Sequence, residues 1–157
     1  MASDVVLDDY PCRASDKIRY GDTDRQGHVN NAVFATLLET GRTEILYNHG
    51  TPLAGAGSGF VLARLVLDFR SEIRWPGTVE IGTRVASLGR SSIKVEQALF
   101  QKGRCVAMAE AVLVLMDETT RRSRPLPPNV IERLSSLMAP DRRGDSGAIA
   151  NSSVNPL

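Results

Sequence analysis

The residues best suited to chemistry stand in one short segment, Tyr20-Gly-Asp-Thr-Asp-Arg-Gln-Gly-His-Val-Asn-Asn31. A pattern typical of a helix, 32–47, follows this segment directly. The first turn of a helix presents unpaired backbone N–H groups and a partial positive charge, which can hold a developing oxyanion. A carboxylate a few residues upstream can act on the same substrate as a base or a nucleophile. The segment therefore predicts a site for acyl transfer or hydrolysis.

The elements that would position this site can be read from hydrophobic spacing. Residues 32–47 carry apolar or small side chains at helical intervals, and Asn30 or Asn31 can cap that helix. Gly41 is unfavourable in mid-helix, so we expect close packing against a sheet at that position. The apolar or small positions of the helix are Phe34, Leu37, Leu38, Gly41 and Ile45.

Five strands are predicted around the helix, one before it and four after it. A glycine-rich loop, 51–59, separates the helix from the later strands, and a short C-terminal helix is predicted at 130–138. We expect the four later strands to form an antiparallel meander, which gives an α+β fold with one long helix against one sheet. The predicted strands are 14–20, 60–73, 78–88, 91–101 and 105–117, with turns at Pro76-Gly77, Gly89-Arg90 and Lys102-Gly103.

The chain divides into three predicted regions. Residues 1–14 form a polar lead-in, 15–140 form the single domain, and 141–157 form a tail rich in small polar residues. The tail lacks apolar periodicity, so it is expected to be disordered. A chain of 157 residues suits one domain with a sizeable core.

Bulk composition excludes several classes of function. A net charge of +1 gives no electrostatic case for nucleic acid. Cys12 and Cys105 are far apart in the sequence and, with only two histidines, form no metal-ligand pattern, so we expect no bound metal. We expect both cysteines to be reduced thiols in a cytoplasmic protein. The N-terminus lacks signal-peptide features, and no apolar run is long enough to span a membrane. No phosphate-binding glycine motif is present, and Gly57-Ser58-Gly59 lacks the spacing of a serine-hydrolase elbow.

Several motifs also carry a family resemblance. The loop pattern Tyr-x-Asp-x-Asp-x-x-Gly-His-Val-Asn-Asn, then Leu-Glu-x-x-Arg-x-Glu in the helix, resembles the hotdog-fold acyl-CoA thioesterases of the 4-hydroxybenzoyl-CoA thioesterase type. The similarity continues through 61–69 and 75–81 and covers most of 15–127. The resemblance implies an antiparallel sheet wrapped around one long helix, and a homodimer or homotetramer with active sites between subunits. It also implies hydrolysis of a thioester without a metal or organic cofactor, coenzyme A being part of the substrate.

The resemblance assigns roles within the loop. Asp24 matches the family's catalytic carboxylate, which attacks the thioester carbonyl or activates water, and the Asn31 backbone N–H matches the oxyanion donor. Gly27 contributes through its backbone. From the residues alone, Asp24 has an alternative as a turn-capping aspartate, and Asp22 is expected to orient the loop.

Other side chains remain open between chemistry and structure. His28 could bond the thioester oxygen, position Asp24, shuttle a proton or simply pack the loop. Tyr20 could donate into the site or pack on the core. Glu39 could form a surface ion pair with Arg42, and it is the reserve catalytic acid because some hotdog thioesterases use a helix glutamate.

The coenzyme A contacts are predicted at turns and strands farther along the chain. The turn Arg90-Ser91-Ser92 matches a position where the family often meets the nucleotide part of coenzyme A. Arg64 is a further candidate, because arginine suits phosphate. For both arginines the alternative is a solvated surface residue.

The sequence leaves three functions open for this protein. The first is an acyl-CoA thioesterase with Asp24 as base or nucleophile. The second is an acyl-carrier-protein thioesterase, and the third is a non-catalytic acyl-thioester binding module.

Overall fold

The computed structural model describes residues 4–47 and 50–138, which form one antiparallel sheet with two α-helices. This architecture confirms the predicted α+β class. Among the described residues, no helix is long and apolar enough to cross a lipid bilayer. The elements are β1 Cys12–Lys17, α1 Asn31–Tyr47, β2 Ser58–Phe69, β3 Thr78–Leu88, β4 Ser92–Gln101, β5 Arg104–Asp117 and α2 Pro128–Ser135.

The order of the strands differs from the predicted meander. The sheet runs β1-β3-β4-β5-β2, and every neighbouring pair is antiparallel. The meander holds for β3, β4 and β5, but β2 pairs with β5 and forms the far edge of the sheet. Residues 70–77 carry the chain across to β3. Alternating hydrophobicity indicates that a segment is a strand but leaves its partner open, which explains the error.

Helix α1 lies against one face of the sheet. Phe34, Leu37 and Leu38 are buried in a cluster with side chains of β3, β4 and β5. A Cβ built on Gly41 would stand 2.6 Å from Ile81 Cγ2 and 2.7 Å from Thr83 Oγ1. The expected close approach at Gly41 is therefore confirmed, because only a hydrogen fits between the helix and β3.

The second helix and the N-terminal segment complete the packing. Val130 and Leu134 of α2 join a cluster with Ile45 near the end of α1. Tyr10 is fully buried in a separate cluster with Ala98 and Phe100. Strand β1 begins at Cys12, so it crosses the predicted boundary between the lead-in and the domain. The predicted tail, 141–157, lies outside the described residues.

The strand predicted at 14–20 ends early. Lys17 is its last residue, and Tyr20–Asp22 form a short 3-10 turn instead. The Asp22 carboxylate accepts the Arg19 backbone N–H at 2.8 Å, which closes this turn. The chain therefore bends away from the sheet just before the loop that carries Asp24.

Candidate active site

A compact loop presents Asp24 just ahead of α1. Thr23 and Val29 form an isolated antiparallel bridge, and the Asp24 N–H donates to the His28 carbonyl at 2.8 Å. Gly27 has a φ of +79°, which favours glycine, and its N–H donates to the Asp24 carbonyl. Gly27 therefore allows the chain to reverse between Asp24 and His28.

The Asp24 carboxylate has one anchored oxygen and one free oxygen. Oδ1 accepts the backbone N–H of Gln26 at 2.8 Å and that of His28 at 3.3 Å. Among the described residues, Oδ2 has no hydrogen-bond partner. Asp24 thus caps a turn, which was the structural alternative to a catalytic role, and it still has an oxygen that can act on a substrate. The two roles are compatible, because the cap fixes the direction of the free oxygen.

The start of α1 faces the same cleft. Asn30 is the capping residue, since its side-chain oxygen accepts the Ala32 N–H at 3.0 Å. The Asn31 N–H finds no acceptor in the described part of the chain. Both Asp24 and Asn31 line an open cleft of about 420 Å³, which also includes His28, Phe34, Phe69 and Glu72. A residue with a free carboxylate oxygen and a residue with a free helix N–H therefore line one concave surface.

The His28 imidazole is held by Glu72, which is not among the site residues predicted from the sequence. Its Nε2 lies 3.0 Å from Glu72 Oε2, and the two chain segments also form a bridge between His28 and Arg74. Glu72 simultaneously bonds Arg74 Nη2 at 3.3 Å. Nothing in the local pattern around Glu72 marks it, because its partner lies 44 residues away in sequence. His28 positions Asp24 through its backbone, whereas its side chain is fixed by Glu72.

Tyr20 and Asp22 take different places at the edge of the loop. Tyr20 is 75% exposed, it does not line the Asp24 cleft, and its ring lies edge-to-face against Trp75 at 5.2 Å. Packing of Tyr20 on the core, one of its predicted alternatives, is therefore wrong.

Asp22 is buried, and its carbonyl accepts the Asn30 N–H at 2.8 Å. This bond ties the turn to the helix start, as expected of an orienting residue.

The ionisation of Asp22 should make the stability of the fold depend on pH in the acid range. The Arg19 backbone N–H, which bonds the carboxylate, holds the pKa of Asp22 below its usual value. The ionised form thus stabilises the fold above the unfolded pKa of about 3.9, and that contribution is lost as the pH falls through the lower folded pKa. We expect Asp22→Asn to lower the free energy of unfolding at pH 7 but much less at pH 3. Urea unfolding at both pH values measures this change. Glu132→Gln on α2 is the surface control, because Glu132 is exposed. An equal loss for Asp22→Asn at both pH values would contradict the expected effect.

The predicted surface ion pair between Glu39 and Arg42 is absent from the described residues. Arg42 is buried instead, and its Nη1 donates to Gln97 Oε1 at 3.1 Å. Burial lowers the pKa of Arg42, and the Glu39 carboxylate opposes that effect. Glu39 itself is exposed and does not line the Asp24 cleft. The structure therefore separates the reserve acid from Asp24 within one subunit.

The predicted coenzyme A contacts lie away from the cleft in the same chain. Arg90, Ser91 and Ser92 stand at the turn between β3 and β4, beside Val114, which pairs with Val61 near the start of β2. The cleft adjoins Phe69, at the opposite end of β2. Arg64 lies in mid-strand and pairs with Glu110 at 3.2 Å. Within one subunit, none of these four residues meets Asp24.

Two further features of the described residues are the grouping of possible metal ligands and the state of the two thiols. Within 4–47 and 50–138, no group of three or more His, Cys, Asp or Glu residues is placed to hold a metal ion. Burial raises the pKa of the Cys12 and Cys105 thiols, which disfavours their thiolate forms.

Several known proteins of similar sequence are named as thioesterases or acyl-CoA thioester hydrolases. The chain is 25% identical over 119 residues to the acyl-CoA thioester hydrolase YbgC of Escherichia coli O6:H1, an overlap of 73% of this chain and 89% of that protein. A thioesterase of Thermus thermophilus, whose crystal structure contains coenzyme A and zinc, is 33% identical. Its TM-score is 0.72, with 82% of this chain and 95% of that chain covered.

Further similarity to solved structures supports the same fold. The PA5185 protein of Pseudomonas aeruginosa PAO1 has a TM-score of 0.77 and 26% identity, over 85% of this chain and 96% of that one. The family model of the thioesterase-like superfamily matches residues 18–134, which include the Asp24 loop, α1 and most of the sheet. Because that match takes in more than half of the chain, this protein belongs to the thioesterase-like superfamily and has the hotdog fold.

Proposed function

We propose that this protein hydrolyses the thioester of an acyl-coenzyme A to a free carboxylic acid and coenzyme A. The observation that carries the proposal is that Asp24, whose Oδ2 is free, and Asn31, whose N–H is unbonded, line the same cleft. The first can attack or deprotonate, and the second can hold negative charge. Thioester hydrolysis needs both functions on opposite sides of one carbonyl group.

The proposed reaction places the thioester carbonyl oxygen on the Asn31 N–H. Asp24 then removes a proton from an attacking water, or its Oδ2 attacks the carbonyl carbon and water resolves the resulting anhydride. In both routes the carbon–sulfur bond breaks, the thiolate leaves and takes up a proton, and one water is consumed. The positive end of α1 favours the oxyanion because it lies in the first turn of the helix.

Glu72 and His28 support this reaction by positioning. Glu72 fixes the imidazole, and the His28 backbone N–H and carbonyl bond both the side chain and the backbone of Asp24. We therefore assign His28 to the orientation of Asp24. Tyr20 stands at the rim with Trp75 and is proposed to contact substrate only outside the reacting centre.

A second subunit would complete the site. Strand β2 is an edge strand that exposes Leu62, Val66 and Phe69, and such an edge favours pairing with another strand. Two copies of β2 paired antiparallel around a two-fold axis would set the Phe69 end of one beside the Ser58 end of the other. Arg90, Ser91 and Ser92 of the partner subunit would then approach the Asp24 cleft. Coenzyme A is proposed to bind there, with Arg64 close to the shared edge.

A substitution in β2 tests the proposed dimer directly. We expect Val66→Lys to yield monomers and to lower kcat/KM for acyl-CoA at least about tenfold, because a lysine on an edge strand opposes pairing. Sedimentation velocity and turnover, measured on the same samples, test this. Ile131→Lys on α2 is the matched control, since it also places a lysine at an exposed isoleucine or valine site. A wild-type protein that is monomeric and fully active would discard the shared site.

A panel of acyl-CoAs tests the proposed function itself. Thiol release is followed with a thiol-reactive dye, with and without a chelator, and the proposal expects turnover that the chelator leaves unchanged. Activity on an acylated carrier protein but not on acyl-CoA would favour the carrier-protein thioesterase. Saturable binding of acyl-CoA without any thiol release would favour the non-catalytic binding module.

A further inference from the structure

A second cleft, rich in positive charge, adjoins the candidate active site. It has a volume of about 630 Å³ and includes three basic side chains, Arg74, Lys102 and Arg104. Trp75 and Val106 contribute apolar surface to it. We call this the basic cleft. Its volume lies within the usual range for sites that bind small molecules.

The basic cleft carries uncompensated charge. Lys102 and Arg104 form no ion pair with any described residue, and both are exposed. Arg74 shares the Glu72 carboxylate with His28, so Glu72 balances it only in part. Since the whole chain has a net charge of only +1, this concentration of cations favours an anionic ligand.

The framework of the basic cleft is ordered by its own bonds. Gln101 accepts the Arg74 N–H at 3.0 Å and donates to the Arg74 carbonyl at 2.8 Å, which fixes both segments. Lys102 and Gly103 have φ values of +52° and +77°, and they form the predicted tight turn between β4 and β5. Lys102 and Arg104 therefore flank a defined turn of the backbone.

The two clefts are adjacent. Ser71 and Glu72 line both the basic cleft and the Asp24 cleft. Glu72 Oε2 lies 3.0 Å from His28 Nε2 and 3.3 Å from Arg74 Nη2, so a single carboxylate separates the catalytic loop from the basic cleft. A group that reaches past Ser71 and Glu72 from the Asp24 cleft would therefore enter the basic cleft beside Arg74.

We infer that the basic cleft binds a carboxylate at the distal end of the acyl group, so that the preferred substrates are medium-length dicarboxylic acyl thioesters. The inference rests on the proposed function and adds its substrate class. Arginine and lysine donate charge-assisted bonds to a carboxylate, and Trp75 covers the methylene groups. The coenzyme A arm would leave in the other direction, towards the partner subunit.

Matched substrates of equal chain length test the inference. Adipoyl-CoA and hexanoyl-CoA both carry six acyl carbons and differ by the distal carboxylate. We expect wild-type kcat/KM to favour adipoyl-CoA at least about tenfold, in keeping with the worth of a charge-assisted bond. The double variant Lys102→Asn and Arg104→Gln should bring that ratio close to one, and Arg133→Gln on α2 should leave it unchanged. Asparagine is chosen at position 102 because it tolerates positive φ.

Two results would overturn the dicarboxylate subsite and leave thioester hydrolysis intact. The wild-type protein could use adipoyl-CoA and hexanoyl-CoA equally well, or the preference for adipoyl-CoA could survive in the double variant. Loss of all turnover with every acyl-CoA would instead remove the proposed function. A binding measurement then decides about the basic cleft, because it needs no reaction.

Trp75 is the single tryptophan of the chain and lines the basic cleft, so its fluorescence reports on binding there. We expect adipate to change the emission saturably in the wild-type protein and not in the double variant, whereas hexanamide, which has the same number of carbons but no charge, should have no effect at equal concentration. No response to adipate would overturn the inference. A response to adenosine 3′,5′-bisphosphate but not to adipate would also overturn it, because the cleft would then be a nucleotide site.

Discussion

Replacing Asp24 by asparagine is expected to lower kcat at least about 100-fold, the lower range for loss of a general base. The change keeps the size of the side chain and its acceptor oxygen, so the bonds from the Gln26 and His28 N–H groups can persist. What it removes is the free, basic oxygen that the structure leaves in the cleft. The affinity for acyl-CoA, measured by calorimetry or fluorescence, should change little.

Glu39→Gln is the matched control for this result. Glu39 is also a carboxylate of the family motif, but it is exposed on α1 and lies outside the Asp24 cleft. Its substitution should reduce kcat far less than Asp24→Asn does. If the two effects are reversed, the helix acid is the catalyst, and it would act across the subunit interface.

Gly41→Ala is expected to lower the free energy of unfolding more than the addition of one methyl group at any other position of α1. The added Cβ would stand 2.6 Å from Ile81 Cγ2, 2.7 Å from Thr83 Oγ1 and 2.9 Å from Gln97 Nε2. Overpacking of this kind costs about 1–3 kcal/mol, and the better helix propensity of alanine returns about 1 kcal/mol or less. The methyl would also disturb Gln97, which donates to the Leu38 carbonyl and to Thr83.

Thermal unfolding measures that cost, at about 2–4 °C in Tm for each kcal/mol in a chain of this size. Thr36→Ala is the control, since Thr36 is exposed on the same helix and alanine is the better helix former. We expect Gly41→Ala to lower Tm and Thr36→Ala to leave it equal or slightly higher. A Gly41→Ala protein as stable as the wild type would show that α1 can move away from β3.

The sequence predicts the parts of this molecule that depend on local order. The helical spacing around Gly41 predicted α1 and its contact with a sheet, and the Lys102-Gly103 pair predicted the turn between β4 and β5. Asn30 was a predicted cap because its side chain acts two residues away, on Ala32. Each of these features follows from residues that are close together in the chain.

Features that depend on distant partners could not be predicted. Glu72 reaches His28 only because residues 71–74 run beside the loop, and Arg42 is buried because Gln97 of β4 meets it. The place of β2 at the sheet edge depends on its pairing with β5, which alternation alone does not specify. The basic cleft joins Arg74 to Lys102 and Arg104 across two segments for the same reason.

Hydrolysis in water labelled with ¹⁸O tests the central claim most directly. The wild-type protein is incubated with an acyl-CoA, and the free acid and the thiol are measured together. Our account predicts equal amounts of both products, with solvent oxygen incorporated into the acid over many turnovers. Binding without either product, or thiol release with no labelled acid, would contradict hydrolysis by the Asp24 cleft.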